Sequence, residues 1–193
     1  MTALAASWYE EAMTAAGSRA MEPLESSPWL EMYGVAQGLL PALPIIDLGC
    51  GTGRFGEFLR QSGVENYRGY DFAPDVVAEA QSYCPVYPFE VADIRAWEQG
   101  SDLPDECCYV LLEVLEHLDD DLDALSRIPA GLPVVFSVPN FWSHSHVRRF
   151  LQPSDVFDRY AGLLDFTAWH SLAYPILGRR VHVFQANARA DRL

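Results

Sequence analysis

Ile45-Ile-Asp-Leu-Gly-Cys-Gly-Thr-Gly-Arg-Phe55 decides the reading of this chain. An apolar run with one carboxylate, Asp47, enters three glycines at alternate positions, Gly49, Gly51 and Gly53. An amphipathic stretch follows, Arg54–Gln61, with Phe55, Phe58 and Leu59 on one face. The pattern is strand, tight turn, helix. Glycine lets the backbone turn sharply and lets a ligand approach it closely. The spacing differs from the G-x-G-x-x-G of dinucleotide sites, where a pyrophosphate meets the helix. A carboxylate just before the loop would repel a pyrophosphate and favour a cationic or zwitterionic ligand.

Outward from this stretch, strand and helix alternate. Leu43–Leu48 reads as a strand, then Asn66–Asp71 as a strand ending in a carboxylate. Pro74–Tyr83 reads as a helix with proline in its first turn, and Val86–Val91 as a third strand. Cys107–Leu112 is an unbroken apolar run, as a strand covered on both faces requires. Asp119–Arg127 reads as a helix whose acidic opening faces solvent at the positive end of the dipole. Leu132–Val138 is a fifth strand. Asp165–Ala173 and Arg179–Ala188 follow, joined through Pro175-Ile-Leu-Gly178 as in a hairpin. The expectation is an α/β fold: a Rossmann-like, seven-stranded, mostly parallel sheet with an antiparallel last strand and helices on both faces. Helices at 3–16 and 29–40 make residues 1–42 an N-terminal cover bearing Trp8, Tyr9, Trp29, Met32 and Tyr33. Residues 43–193 form the sheet domain.

The chain has 193 residues, which suits a single domain. All 13 basic residues are arginine, against 27 acidic ones, for a net charge of −14. The absence of lysine excludes Schiff-base chemistry and a lysine base. The acidic balance disfavours nucleic acid and anionic membranes as partners. Cys50, Cys84, Cys107 and Cys108 form no CxxC, which fits buried thiols in a reducing compartment. With no signal-like N-terminus and no run near the ~20 apolar residues of a membrane span, a cytoplasmic location is expected.

Two further carboxylates follow strand ends. Asp71 lies about twenty residues beyond the loop, where an acidic side chain can take both hydroxyls of a ribose. Asp93 follows the third strand, where it could meet an adenine amino group. With these residues in place, the sequence resembles the class I S-adenosylmethionine-dependent methyltransferases over about residues 43–188. The resemblance implies that Asp47, Gly49, Cys50, Gly51 and Gly53 hold the methionine part. It gives Asp71 the ribose, sets Phe72 beside the adenine, and has Asp93 and Ile94 contact the adenine ring.

Leu112-Glu-Val-Leu-Glu-His117 follows the fourth strand, and Ser143-His-Ser-His146 the fifth. Both loops leave the same sheet edge, so Glu113, Glu116, His117 and His146 (with His144 second) can converge on Mg²⁺, Mn²⁺ or Zn²⁺. Glu-x-x-Glu-His resembles ubiquinone-biosynthesis O-methyltransferases and small-RNA 3′-end 2′-O-methyltransferases, which implies such a site. Resemblance to metal-free methyltransferases that carry Glu-His at this place implies instead Glu113 on the methionine amino group and His117 as base or scaffold. The leading expectation is therefore an enzyme, an O-methyltransferase of a small molecule (N-methylation as variant), with His117 and His146 catalytic. RNA-end methylation and a non-catalytic partner subunit are the alternatives. Arg148 and Arg149 are read as a basic pair for an acidic substrate group or for surface carboxylates.

Overall fold

The computed structural model describes residues 23–100, 102–143 and 145–191. The expected helix at 3–16, with Trp8 and Tyr9, and the second-choice ligand His144 lie outside the described residues.

Seven strands form one sheet: β1 Ile45–Leu48, β2 Tyr67–Asp71, β3 Phe89–Val91, β4 Cys108–Leu111, β5 Pro133–Pro139, β6 Leu164–Ala173 and β7 Arg180–Ala188. The spatial order is β3-β2-β1-β4-β5-β7-β6. Strands β1 to β5 pair in parallel, and β7 runs antiparallel to both β5 and β6. The expected topology therefore holds, with the reversed strand inserted inside the edge. From β1 the chain winds to β2 and β3 on one side, then returns to β4 and β5 on the other. The crevice at the carboxyl ends of β1 and β4 is where sheets of this kind bind ligands.

Every residue of β1 and β4 is buried, because both sheet faces are covered. Successive side chains point to opposite faces, so two cores form. Ile46, Leu48, Leu111 and Phe136 join one; Ile45, Val110 and Val135 join the other. Helices α1 Leu30–Leu39, α2 Arg54–Gln61 and α3 Pro74–Tyr83 cover the second through Met32, Leu59 and Val77. Helices α4 Asp121–Ser126 and α5 Pro153–Tyr160 cover the first through Leu125 and Tyr160.

Helix α5 is absent from the sequence reading. Its signal was legible: Gln152 and Asp155 form a capping box around a proline first turn. The acidic opening at 119–123 is also corrected. Asp121 is buried rather than solvated, and it ion-pairs with both Arg148 and Arg159. All four cysteines are buried and unpaired. Among the described residues no helix is long and apolar enough to cross a membrane.

Candidate active site

The glycine loop is stitched to β2. Gly49 and Cys50 both donate their N–H to the Tyr70 carbonyl, at 2.7 and 2.9 Å, and Gly51 donates to Asp71 Oδ2 at 3.0 Å. Three loop donors are thereby spent inside the protein, so these groups form no open anion cradle. Gly49 needs its left-handed φ of 85°, and a Cβ there would lie 2.5 Å from Val114. No other residue fits between the loop and the turn after β4.

Asp71 anchors both sides of this turn. Its Oδ1 accepts from Ala73 N–H at 3.0 Å while Oδ2 holds Gly51. Burial pushes its pKa up, and the backbone N–H groups oppose that shift. Each carboxylate oxygen can still accept a second hydrogen bond. Asp71 lines a cleft enclosing ≈ 630 Å³ of empty space, open solvent included, together with Gly49, Phe72, Asp93, Ile94, Glu113 and His117. The other expected cofactor residues, Asp47, Cys50, Gly51 and Gly53, do not line it.

Asp47 lies within β1, 2% exposed, and accepts from the Tyr67 hydroxyl at 2.5 Å. Burial raises its pKa to about 7, against the Tyr67 bond and with the nearby Asp71 charge. Asp93 is already engaged: its Oδ1 accepts from the Arg95 backbone and from Nε, both at 2.9 Å, and Oδ2 accepts from Nη2. An adenine amino group would share that carboxylate with Arg95, which also lines the cleft and which the sequence reading missed.

Glu113 takes a left-handed φ of 57° at the end of β4. Its N–H donates to Ser137 Oγ, and that hydroxyl donates to Glu113 Oε1, both at 2.8 Å. Ser137 thus aims the carboxylate from the neighbouring strand. Burial pushes the Glu113 carboxyl up to about 7. Glu116 is fully buried, and neither of its oxygens has a hydrogen-bond partner. Burial, then the Glu113 charge, holds it well above the usual carboxylate range.

His117 and His146 meet edge to face, ring centroids 4.9 Å apart. His117 Nδ1 lies 3.2 Å from the Ser145 carbonyl, and His146 Nδ1 lies 3.0 Å from that of Phe141. A carbonyl can only accept, so Nδ1 is assigned the proton in each ring. Both Nε2 lone pairs remain available. Burial first, then the His146 charge, lowers the His117 pKa to about 4. Burial and then Arg179 lower that of His146, against its bond to Phe141. Both are neutral at physiological pH.

The turn carrying His117 is strapped down from the loop after β5. Val147 N–H donates to the Glu116 carbonyl at 2.8 Å. Arg148 donates to the carbonyls of Leu115 at 2.7 Å and Asp119 at 3.1 Å, and also to that of Leu118. Its guanidinium pairs with Asp121 at 3.2 Å. Arg148 is therefore spent on structure, so of its two expected roles it takes the pairing with a carboxylate, the buried Asp121. Arg149 lies over the Trp142 ring, 5.5 Å from the centroid.

Glu116, His117 and His146 offer ligand atoms that all lie within 4.8 Å of one another. Glu113 is outside this trio. Two imidazoles and one carboxylate suit a divalent cation, and the unpartnered Glu116 oxygens fit one.

Residues 45–131 match the family described as a methyltransferase domain. A 62-residue stretch is 45% identical to trans-aconitate 2-methyltransferase of Escherichia coli O1:K1 / APEC, covering 31% of this chain and 25% of that relative. The N-methyltransferase NodS of Bradyrhizobium japonicum WM9, solved with S-adenosyl-L-homocysteine, superposes with a TM-score of 0.67 at 16% identity. That match covers 91% of this chain and 97% of NodS. Magnesium protoporphyrin IX methyltransferase of Synechocystis PCC 6803 gives 0.61 at 17% identity, over 83% and 81%. The structural likenesses are of fold, while the family match spans the glycine loop, the β2 carboxylate and the turn after β4. Residues 45–131, a little under half of the chain, match a methyltransferase-domain family, and the sheet has the fold of these methyltransferase structures.

Proposed function

We propose that this chain binds S-adenosylmethionine in the cleft beside Asp71 and catalyses methylation of a hydroxyl oxygen on a small-molecule acceptor. The observation that carries this is the position of His117. Its Nε2 is unprotonated, and the ring lines the same cleft as Asp71, Phe72 and Ile94. When bound, the cofactor supplies a methyl group on positively charged sulfur, open to in-line displacement. Asp71 takes the ribose hydroxyls. Glu113, aimed by Ser137, takes the ammonium group, whose charge favours the ionised carboxylate. The acceptor hydroxyl gives its proton to His117 Nε2 as its oxygen takes the methyl. Such base catalysis contributes ~10²–10⁴-fold. Similarity to proteins named for trans-aconitate and magnesium protoporphyrin IX supports an acceptor of small-molecule size.

The test is calorimetry with S-adenosylhomocysteine, followed by labelled-methyl transfer to a panel of phenols, sugar hydroxyls and amines. We expect binding, transfer to a hydroxyl, and loss of about a hundredfold or more in turnover in His117→Ala with binding intact. Absence of binding overturns the proposal. A second reading gives Glu116, His117 and His146 a divalent cation, favoured by the two unpartnered Glu116 oxygens. Such an ion would lower the pKa of the acceptor hydroxyl. Chelation would then abolish turnover and spare cofactor binding; full turnover in excess chelator excludes this reading.

A further inference from the structure

The loop from β5 to α5, residues 140–152, has two unlike sides. Its inner side is polar and holds the turn that carries His117: Val147 N–H donates to the Glu116 carbonyl, and Arg148 ties down the carbonyls of Leu115 and Asp119. Its outer side is apolar. Trp142, Val147 and Leu151 are 51, 42 and 60% exposed, and Leu122 of α4 is 41% exposed. Of the nine large hydrophobic side chains exposed among the described residues, these four line a single groove. It encloses ≈ 1150 Å³ of empty space, open solvent included. Exposed hydrophobic residues scattered singly are ordinary on a protein surface, whereas four gathered in one concavity mark a contact surface.

Charge says which partner fits. The chain carries −14, so a second copy is repelled wherever the surface shares that excess. The groove does not share it. Arg148, Arg149 and Arg159 line it together with Asp155 and Asp158, and the carboxylate of Asp121 pairs with Arg148 and Arg159. The three positive and three negative charges cancel. Two of them are also unspent. Among the described residues, no Asp or Glu oxygen lies within 4.0 Å of Arg149, whose guanidinium rests on the Trp142 ring, and no Arg or His nitrogen lies that close to Asp158. A basic partner would be drawn to the acidic remainder of the surface, and an acidic one finds no excess of arginine here. A face with an unpaired cation, an unpaired anion and an apolar recess is complementary to itself. About a twofold axis the same patch serves on both subunits, so each ion pair forms twice.

We infer that this groove is where two copies of the chain associate, face to face about a twofold axis. Leu151 and Trp142 of each copy enter the recess of the other, and Arg149 pairs with the partner's Asp158. Apolar burial drives the contact, and the balanced charges permit it. The second copy rests on the outer side of the loop that carries His146. This association goes beyond the proposed methyl transfer and does not depend on it.

The experiment is sedimentation velocity of the whole chain from ~1 μM to ~1 mM, a span that covers weak and moderate association. At the upper end the mass should be twice that of the chain. Leu151→Asp, at a position too exposed to disturb the core, sets a charge in each recess and should weaken the dimer about a hundredfold or more. Leu177→Asp, fully exposed on the β6–β7 turn and outside the groove, should leave it unchanged. Arg149→Asp and Asp158→Arg should each weaken association about tenfold by facing like charges. An equimolar mixture of these two variants should recover the wild-type association, because both ion pairs of the mixed dimer again join opposite charges. That recovery also shows that each variant folds. A single-chain mass throughout the range, a dimer indifferent to Leu151→Asp, a dimer lost in Leu177→Asp, or no recovery on mixing overturns the inference.

Discussion

The two halves of the crevice are built differently. On the side of β1, β2 and β3, function rests on backbone. Three positive-φ glycines, the Tyr70 carbonyl and the carboxylate of Asp71 form one stitched turn within a short span of sequence. On the side of β4, β5 and the β6–β7 turn, it rests on side chains gathered from afar. Ser137 reaches Glu113 across 24 residues, Arg159 reaches Asp121 across 38, and Arg179 reaches the face of Phe141. The first half is suited to one invariant ligand, because backbone cannot be retuned by single substitutions. The second can change its ligand one side chain at a time. On the proposed function, the backbone-built half holds the cofactor's ribose, and the side-chain half holds its ammonium group and the acceptor.

Breaking the first half at its most buried charge should give the largest effect. Asp47 is raised to about 7 by burial, whereas in the unfolded chain it titrates near ~3.9. The folded state therefore keeps a proton that the unfolded state has lost between those values, so this group's contribution is greatest at low pH and is lost as pH rises through 7. By linkage the loss is on the order of 4 kcal/mol. Asp47→Asn, which can still accept from the Tyr67 hydroxyl, removes it. Urea denaturation at pH 4 and pH 8 should show the variant gaining on the wild type by that order across the interval. A constant difference would show that Asp47 stays ionised in the folded protein.

Asp71 carries the next effect. Asp71→Ala deletes the acceptors for Gly51 and Ala73 and, on the proposed function, for the ribose. S-adenosylhomocysteine affinity should fall by ~1–3 kcal/mol, read by calorimetry. Asp71→Asn keeps one acceptor oxygen and should lose less. Unchanged affinity in Asp71→Ala would remove this residue from the site.

The contrast between the halves also explains what was legible in the sequence. The glycine loop, Asp71 and the bounds of α2 and α3 follow from local spacing, and they could be read directly. The His117–His146 pairing needed only the rule that both loops leave one sheet edge. Arg95, Ser137 and Arg179 could not be read in this way. Their roles depend on which strand lies beside which, and a polar residue gains its meaning there from a partner dozens of positions away. Arg148 and Asp121 mislead for the same reason: an acidic run and an arginine pair look solvated until α5 closes over them. Ser137 did leave a mark, as the one hydroxyl in the apolar run Val134-Val-Phe-Ser-Val138.

Ser137 is also where the two halves touch, so its removal sharpens the comparison most finely. Its hydroxyl accepts from the Glu113 N–H and donates to the Glu113 carboxylate. Both interactions hold a residue whose left-handed backbone costs energy in any side chain but glycine. Ser137→Ala removes the aim of the carboxylate without removing its charge. If Glu113 binds the cofactor's ammonium group, S-adenosylhomocysteine should bind more weakly by ~0.5–1.5 kcal/mol. Glu113→Gln should weaken binding further, and the double variant should lose no more than Glu113→Gln alone. Additive losses would mean that Ser137 serves the acceptor side independently, and that the boundary between the backbone-built half and the side-chain-built half runs through β4 rather than through β5.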